Sequence, residues 1–243
     1  MRRVLAALVA TVMLSSAAAA QEMFWSTVTP SIAGTDVLGI TLREQMQRQE
    51  ARGRANAGAG RGEAAPVAEL ATLRFTPSKA RRAANFRAFV EKTQRVDRGN
   101  AQDLERLFAS GDLIEKLGEG MRPLGLRADN LADTYAIWWI SAWNATQGVN
   151  PTPSRAMAEA VRAQAARALA ATPGIRGASE AAKQEFAEAL LVQMVLVDVA
   201  VEQNRGNPAR LRALASAVTQ GARGMSLDLA RMRLTEGGFV PAP

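Results

Sequence analysis

Two acids near the middle of the chain have the residue type and spacing to carry out acid–base chemistry. Asp129 and Asp133 stand one helical turn apart, which brings two carboxyl groups within reach of the roughly 5 Å separation that retaining glycosidases need. Any two acids spaced in this way meet that distance, and acids in the first turn of a helix are also stabilised by its dipole, by about 0.3 to 1 kcal/mol each. The pair is therefore either a glycosidase-like site or a structural helix start.

Large aromatic residues follow these acids on the same predicted helix. Tyr135, Trp139 and Trp143 are four residues apart and therefore share one face of the helix. Trp138 lies roughly 100° around the helix from Trp139. Such rings can stack on sugars or line a peptide groove, whereas a helix with Trp on two sides is more typical of a core element. The candidate ligand-binding residues are Tyr135, Trp138, Trp139, Trp143, Asp129 and Asp133.

Two residue types that many enzymes use are missing from the sequence. The chain has no histidine and no cysteine, which excludes Ser-His-Asp and Cys-His nucleophile pairs, zinc sites with imidazole or thiolate ligands, and histidine-bound haem. Carboxylate chemistry, Ser-Lys pairs and oxygen-ligated Ca²⁺ or Mg²⁺ remain open, but no segment has the arrangement that they require. We predict no catalytic residue, no cofactor and no metal site.

Basic residues form one side of the first predicted body helix, opposite Phe86 and Phe89. That side fits phosphate or lipid A headgroups, although the solvated face of an amphipathic helix explains the pattern better. The basic residues are Lys79, Arg81, Arg82, Arg87 and Lys92.

One acid, Asp198, lies in the most apolar stretch of the chain. A carboxylate there must be paired or have a raised pKa, and we expect an Arg partner from a neighbouring helix.

The glycines of residues 220–225 follow a helix instead of preceding one. They therefore predict a helix end and turn, and not a phosphate-binding loop.

The N-terminus has the pattern of a cleavable signal peptide, residues 1–20. Arg2 and Arg3 precede an apolar run at 4–14, and small residues lead to a predicted cut after Ala20. The run is shorter than the roughly 20 residues that span a bilayer. We expect a periplasmic or secreted protein with no transmembrane anchor after cleavage.

The charge balance indicates the class of partner. The formal net charge is +7, and loss of the two signal-peptide arginines lowers it to about +5. In an exported protein this excess favours an envelope glycan, a lipid headgroup or another envelope protein over nucleic acid, and an Arg-rich solvated surface is the simpler explanation.

The rest of the chain divides into three parts. Residues 21–42 form a short apolar N-terminal segment, 43–66 an Ala/Gly/Arg linker, and 67–243 a helical domain. The linker has almost no large apolar side chain to offset the entropy of ordering, so we predict that it is disordered. The domain is long enough to bury one core.

The helix start and stop signals of the domain predict an all-α fold, a single bundle of about seven helices. Thr-Pro or Asn-Pro pairs at 76–77, 152–153 and 207–208 predict helix starts with Pro in the first turn. The helix predicted over 179–205 is apolar on nearly every side across 189–201, so it should run through the middle of the bundle. Residues 232–239 are predicted to pack on the bundle as an extended tail.

Several strings in the domain are similar to those of a known protein family. They are 73–77 (LRFTP), 89–93 (FVEKT), 125–130 (GLRADN) with 132–136 (ADTYA) and 138–139 (WW), and 220–225 (QGARGM). On these strings, over roughly 70–239, the chain resembles an uncharacterised family of exported bacterial proteins, a domain of unknown function. The resemblance implies a signal peptide, a variable linker and one helical domain, and carries no reaction or ligand.

Export and the missing catalytic residue types together favour a non-enzymatic binding or assembly role in the bacterial cell envelope. The alternative is a cell-wall glycan hydrolase with paired carboxylates. Its candidate acids are Asp129 and Asp133, or Glu180, Glu185 and Glu188.

Overall fold

The structure, a computed structural model, describes residues 71–95, 97–224 and 227–243. The predicted signal peptide, N-terminal segment and linker lie outside these ranges. The described residues form seven helices of nine residues or more: α1 Lys79–Gln94, α2 Arg98–Ala109, α3 Leu113–Met121, α4 Leu131–Thr146, α5 Arg155–Ala171, α6 Glu180–Gln203 and α7 Pro208–Gly224. The all-α prediction with about seven helices is confirmed.

A small hairpin and three short turns complete the described part. Strands β1 Met232–Thr235 and β2 Gly238–Pro241 pair antiparallel, with Arg233 opposite Val240. One-turn helices lie at Arg122–Leu124, Pro173–Arg176 and Leu229–Arg231. The sequence predicts an extended tail at this end and not a hairpin. The hairpin was missed because four-residue strands are too short to show a sustained alternation of apolar and polar residues.

Two of the three predicted helix starts are displaced. Ser78 and Ser154, each just after a Thr-Pro pair, cap α1 and α5 by accepting hydrogen bonds from backbone N–H groups in the first turn. Before α1, the backbone N–H of Phe75 donates to the Asp129 carbonyl, so that segment stays extended and the helix begins later. Asn207 caps α7 as predicted, with its side-chain oxygen 3.1 Å from the backbone nitrogen of Arg210.

The core is built around two helices. Every residue of α6 from Phe186 to Val201 is buried, and Val195 is only 1% exposed, which confirms the predicted central apolar helix. Helix α4 is equally central, since it packs against α5, α6 and α7 and all of its residues except Trp143 and Thr146 are buried. None of the helices in the described ranges has both the length and the apolar character of a membrane span.

The hairpin closes the core over α4 and α5. The Gln164 side-chain amide bonds both backbone polar groups of Phe239, donating to its carbonyl at 2.7 Å and accepting from its N–H at 2.9 Å. A Cβ on Gly238, whose φ is +95°, would lie 2.7 Å from the Gln164 Oε1, so this close approach requires glycine. The Trp143 Nε1 donates to the Met232 carbonyl at 3.0 Å. These bonds fix the hairpin on the bundle.

Candidate functional site

The predicted aromatic residues on α4 lie in the core of the bundle. Tyr135, Trp138 and Trp139 are each at most 1% exposed, and Trp143 is half-buried. The Trp139 ring stacks on Phe239, with 4.2 Å between centroids and 17° between planes. The described contacts of these rings are therefore packing contacts, and ligand binding by them stays a prediction.

Asp129 is held as an anion just before α4. The Arg127 side chain donates two hydrogen bonds to its carboxylate, at 2.8 and 2.7 Å, and the Arg74 guanidinium lies 3.6 Å away. The hydrogen bonds from Arg127 lower the pKa of Asp129 most, and the charges of Arg127 and Arg74 lower it further. Asn130 next to it caps α4 through its side-chain oxygen.

Asp133 has the opposite environment, although it lies one turn further along. It is 2% exposed, and its Oδ2 accepts a 2.9 Å hydrogen bond from the backbone N–H of Arg127. Its Oδ1 has no hydrogen-bond partner among the described residues, and the Arg162 Nε is 3.9 Å away. Burial raises the pKa of Asp133 to about 7, against the lowering effect of Arg162. Near neutral pH the group is therefore a mixture of the acid and the carboxylate.

Backbone pairing brings residues that are distant in sequence to this end of α4. The Leu131 N–H donates to the Leu73 carbonyl at 3.0 Å, and the Phe75 N–H donates to the Asp129 carbonyl at 3.1 Å. This short antiparallel contact holds Arg74 beside Asp129. Two of the strings on which the family resemblance was based, 73–77 and 125–130, therefore lie side by side.

Helix α5 supplies two more arginines to the same end of α4. The Arg162 side chain donates to the Gly125 carbonyl at 3.1 Å, and the Arg155 Nε lies 2.9 Å from the Glu159 Oε1. A Cβ on Gly125, whose φ is +74°, would lie 2.7 Å from that carboxylate oxygen and 3.3 Å from the Arg155 Nε. Glycine therefore lets the loop lie directly against the Arg155–Glu159 pair.

These four arginines form what we call the arginine patch: Arg74, Arg127, Arg155 and Arg162. Three of the side chains are more than half exposed, at 53%, 56% and 67% in that order, and Arg162 is 26% exposed. The carboxylates of Asp129 and Glu159 offset only part of this positive charge. Asp133 offsets a further part that depends on pH, because its pKa is about 7. The patch can therefore bind phosphate or carboxylate groups through its exposed guanidiniums.

Sequence reasoning identified the acids of this site but missed the arginines. It selected the basic residues of α1 instead, and for Arg82 both interpretations are wrong. Arg82 is buried and pairs with Asp112 and with Glu188, the latter at 2.9 Å. Asn85 donates to the other oxygen of Glu188 at 2.7 Å. A buried charge must be paired. Arg82 therefore belongs neither to a solvated helix face nor to a site for an external anion.

The glutamates of the hydrolase alternative are spread over different environments on α6. Glu188 is 1% exposed within the ion pair with Arg82. Glu180 is exposed and accepts a 2.6 Å hydrogen bond from the backbone N–H of Thr76, and Glu185 is half-buried. Glu180 and Glu188 therefore bind other elements of the fold.

Asp198 is buried but lacks the arginine expected from sequence. Its Oδ1 accepts a 2.5 Å hydrogen bond from the Ser141 hydroxyl on α4, and no ion pair involves it among the described residues. Burial raises the pKa of Asp198 to about 7, and the hydrogen bond from Ser141 opposes that shift. Across the described ranges, no three His, Cys, Asp or Glu residues are grouped so that they could hold a metal ion.

A family model with the description "Family of unknown function (DUF6683)" matches residues 1–241 of the chain. No curated protein and no solved structure matches the chain.

The raised pKa of Asp198 predicts how stability depends on pH. As the pH rises from about 4 to 7, the unfolded chain loses this proton while the folded protein retains it, so the free energy of unfolding falls. Asp198→Asn does not ionise and should be more stable than the native protein by about 2 to 4 kcal/mol at pH 8, with a gain under about 1 kcal/mol at pH 4. Urea denaturation at several pH values measures this difference.

The control is Glu105→Gln, which replaces an exposed acid on α2 and should leave the pH profile unchanged. An Asp198→Asn variant that gained nothing between pH 4 and 8 would contradict the assigned environment.

Proposed function

Because the chain belongs to this family of unknown function, DUF6683, we propose its function from its own residues: a non-enzymatic protein that binds or assembles in the bacterial cell envelope. The arginine patch is the proposed binding surface. Its ligands are phosphate or carboxylate groups of an envelope glycan, a lipid headgroup or another envelope protein.

The location rests on the N-terminal sequence. Arg2 and Arg3, the apolar run at 4–14 and the alanines up to Ala20 support export by a cleaved signal peptide. A protein delivered in this way meets anionic glycans and lipid headgroups before it meets nucleic acid. Export therefore decides which anions are relevant to a basic surface.

The arginine patch is the single observation that carries the binding proposal. Its side chains meet at one loop, since the Gly125 carbonyl accepts from Arg162 and the Asp129 carboxylate pairs with Arg127 and Arg74. Arg74 contacts Asp129 only at 3.6 Å, and Arg155 has an exposed partner within its own helix. Exposed pairs of this kind contribute little to stability, so both side chains can turn to an external anion at small cost.

Asp133 makes the patch sensitive to pH. Because the pKa of Asp133 is about 7, acidification from pH 8 to 6 neutralises its carboxylate and raises the net positive charge of the patch. The affinity for anions should therefore increase as the pH falls through 7.

Co-sedimentation tests this proposal. The probes are phosphatidylcholine vesicles with and without phosphatidylglycerol, and purified peptidoglycan sacculi, which separate a lipid source of the anion from a glycan source. We expect binding to one anionic probe, stronger at pH 6 than at pH 8. The double variant Arg74→Gln/Arg155→Gln should weaken that binding about tenfold or more.

The matched control is Arg210→Gln/Arg212→Gln, which removes the same charge from exposed positions of α7. Equal losses in both double variants would mean that net charge alone drives binding and that the patch has no special role. Absence of binding to both vesicles and sacculi would overturn a lipid headgroup and an envelope glycan as ligands of the patch.

One observation favours the hydrolase as a second candidate. The environments of Asp129 and Asp133 shift the two pKa values in opposite directions, which is the pattern of a paired base and acid. Against it, Asp133 is almost fully buried, and Asp129 is already bonded to Arg127.

Zymography on cell-wall material decides between the two candidates. The non-enzymatic proposal predicts no clearing by the native protein. Clearing that disappears in Asp133→Asn and persists in Glu185→Gln would instead establish the hydrolase with this acid pair.

A further inference from the structure

A polar pocket lies at the other end of α4, away from the arginine patch. It has a volume of about 430 Å³, within the range of small-molecule sites. Thr146, the last residue of α4, and Gln147 after it form one wall, α7 forms the other, and Ala230 closes one side. Its polar lining residues are Thr146, Gln147, Ser216, Thr219, Gln220 and Arg223.

The α7 residues of this pocket form one stripe. Ser216, Thr219, Gln220 and Arg223 follow the i, i+3, i+4, i+7 spacing that places side chains on the same face of a helix, and all four line the pocket. The string 220–225 on which the family resemblance partly rested thus supplies two of them. No carboxylate is among the described residues that line it, and these residues give the pocket the positive charge of Arg223.

The hydroxyls of two threonines are already committed, which decides what they offer to a ligand. The Thr146 hydroxyl donates to the Trp143 carbonyl at 2.6 Å and accepts from the Gln147 amide at 2.9 Å. The Thr219 hydroxyl donates to the Ala215 carbonyl at 2.7 Å, so its oxygen is left as an acceptor. Donors for a ligand therefore come from Ser216, Gln220 and Arg223.

Arg223 is only loosely held by the protein. Its side chain is 62% exposed, and its ion-pair partner among the described residues is Asp228, whose Oδ1 is 4.0 Å from the guanidinium. That oxygen already accepts a 3.3 Å hydrogen bond from the Ala230 N–H. A ligand anion at Arg223 would therefore replace a weak ion pair and gain charge-assisted hydrogen bonds.

We propose that this pocket binds a small polyol that carries one phosphate or carboxylate group. The anionic group pairs with Arg223, the Ser216 hydroxyl and the Gln220 amide bond neighbouring oxygens, and the Thr219 oxygen accepts from a ligand hydroxyl. The lining residues in the described part of the chain include no aromatic ring, so recognition by them depends on hydrogen bonds and not on stacking against a sugar face. Helix α4 is about 24 Å long at 1.5 Å per residue, which separates this pocket from the arginine patch.

Titration calorimetry with five probes tests the inference: glycerol 3-phosphate, glucuronate, glycerol, glucose and inorganic phosphate. We expect binding of glycerol 3-phosphate or glucuronate, and the stronger of the two identifies the anionic group. The neutral polyols should bind at least tenfold more weakly. Inorganic phosphate should also bind at least tenfold more weakly, because it lacks the hydroxyls that Thr219 and Gln220 recognise.

Variants locate the site. Arg223→Gln should weaken binding of the anionic polyol at least tenfold, and Ser216→Ala should weaken it severalfold, whereas the control Arg212→Gln, on the same helix but outside the pocket, should leave it unchanged. Chemical-shift changes at the backbone amides of Gln147 and Thr219 should accompany binding. The double variant Arg74→Gln/Arg155→Gln should bind the polyol normally, so failure of the envelope proposal would not be mistaken for failure of this one.

Three results would overturn the inference. They are no binding of either anionic polyol at millimolar concentration, equal binding by Arg223→Gln, and inorganic phosphate that binds as tightly as glycerol 3-phosphate.

Discussion

The structure depends on one constraint: helix α4 is enclosed by protein around almost its whole circumference. Fourteen of its sixteen residues are buried, and α5, α6, α7 and the C-terminal hairpin cover its different sides. Its polar atoms must then find partners inside the protein. Ser141 donates to Asp198, and Trp143 donates to the hairpin backbone.

This enclosure shifts the available chemistry to the two ends of α4. At its start, guanidiniums from three elements lie near two carboxyl groups of unlike pKa: Arg74 from the segment before α1, Arg127 from the loop before α4, and Arg155 and Arg162 from α5. At its end, the polar stripe of α7 lies against Thr146 and Gln147 around an open pocket. In both proposals an anion is recognised through arginine, and neither proposal uses the aromatic rings that make α4 conspicuous in the sequence. The proposed binding or assembly role needs such exposed surfaces and no catalytic group.

Local signals in the sequence were sufficient to predict the helices and the central position of α6. Caps such as Ser179 and Asn207 act within one turn, and the apolar run of 189–201 is visible without any tertiary information. The arginine patch was not predictable in this way, because backbone pairing between 73–75 and 129–131 brings Arg74 to Asp129. The prediction for Arg82 was wrong for a related reason: its partner Asp112 caps α3, and its partner Glu188 lies on α6. The Ser141 partner of Asp198 also depends on how two distant helices pack.

Acrylamide quenching of tryptophan fluorescence tests the central claim most directly. The variant Trp25→Phe removes the indole that lies outside the described residues and leaves Trp138, Trp139 and Trp143 as reporters. If α4 is enclosed, its emission should be blue-shifted and weakly quenched in the folded protein, and both properties should change to those of solvated indole on unfolding in urea. Strong quenching in the folded state, close to that of the unfolded chain, would contradict the enclosure of α4 and restore its aromatic face as an open binding surface.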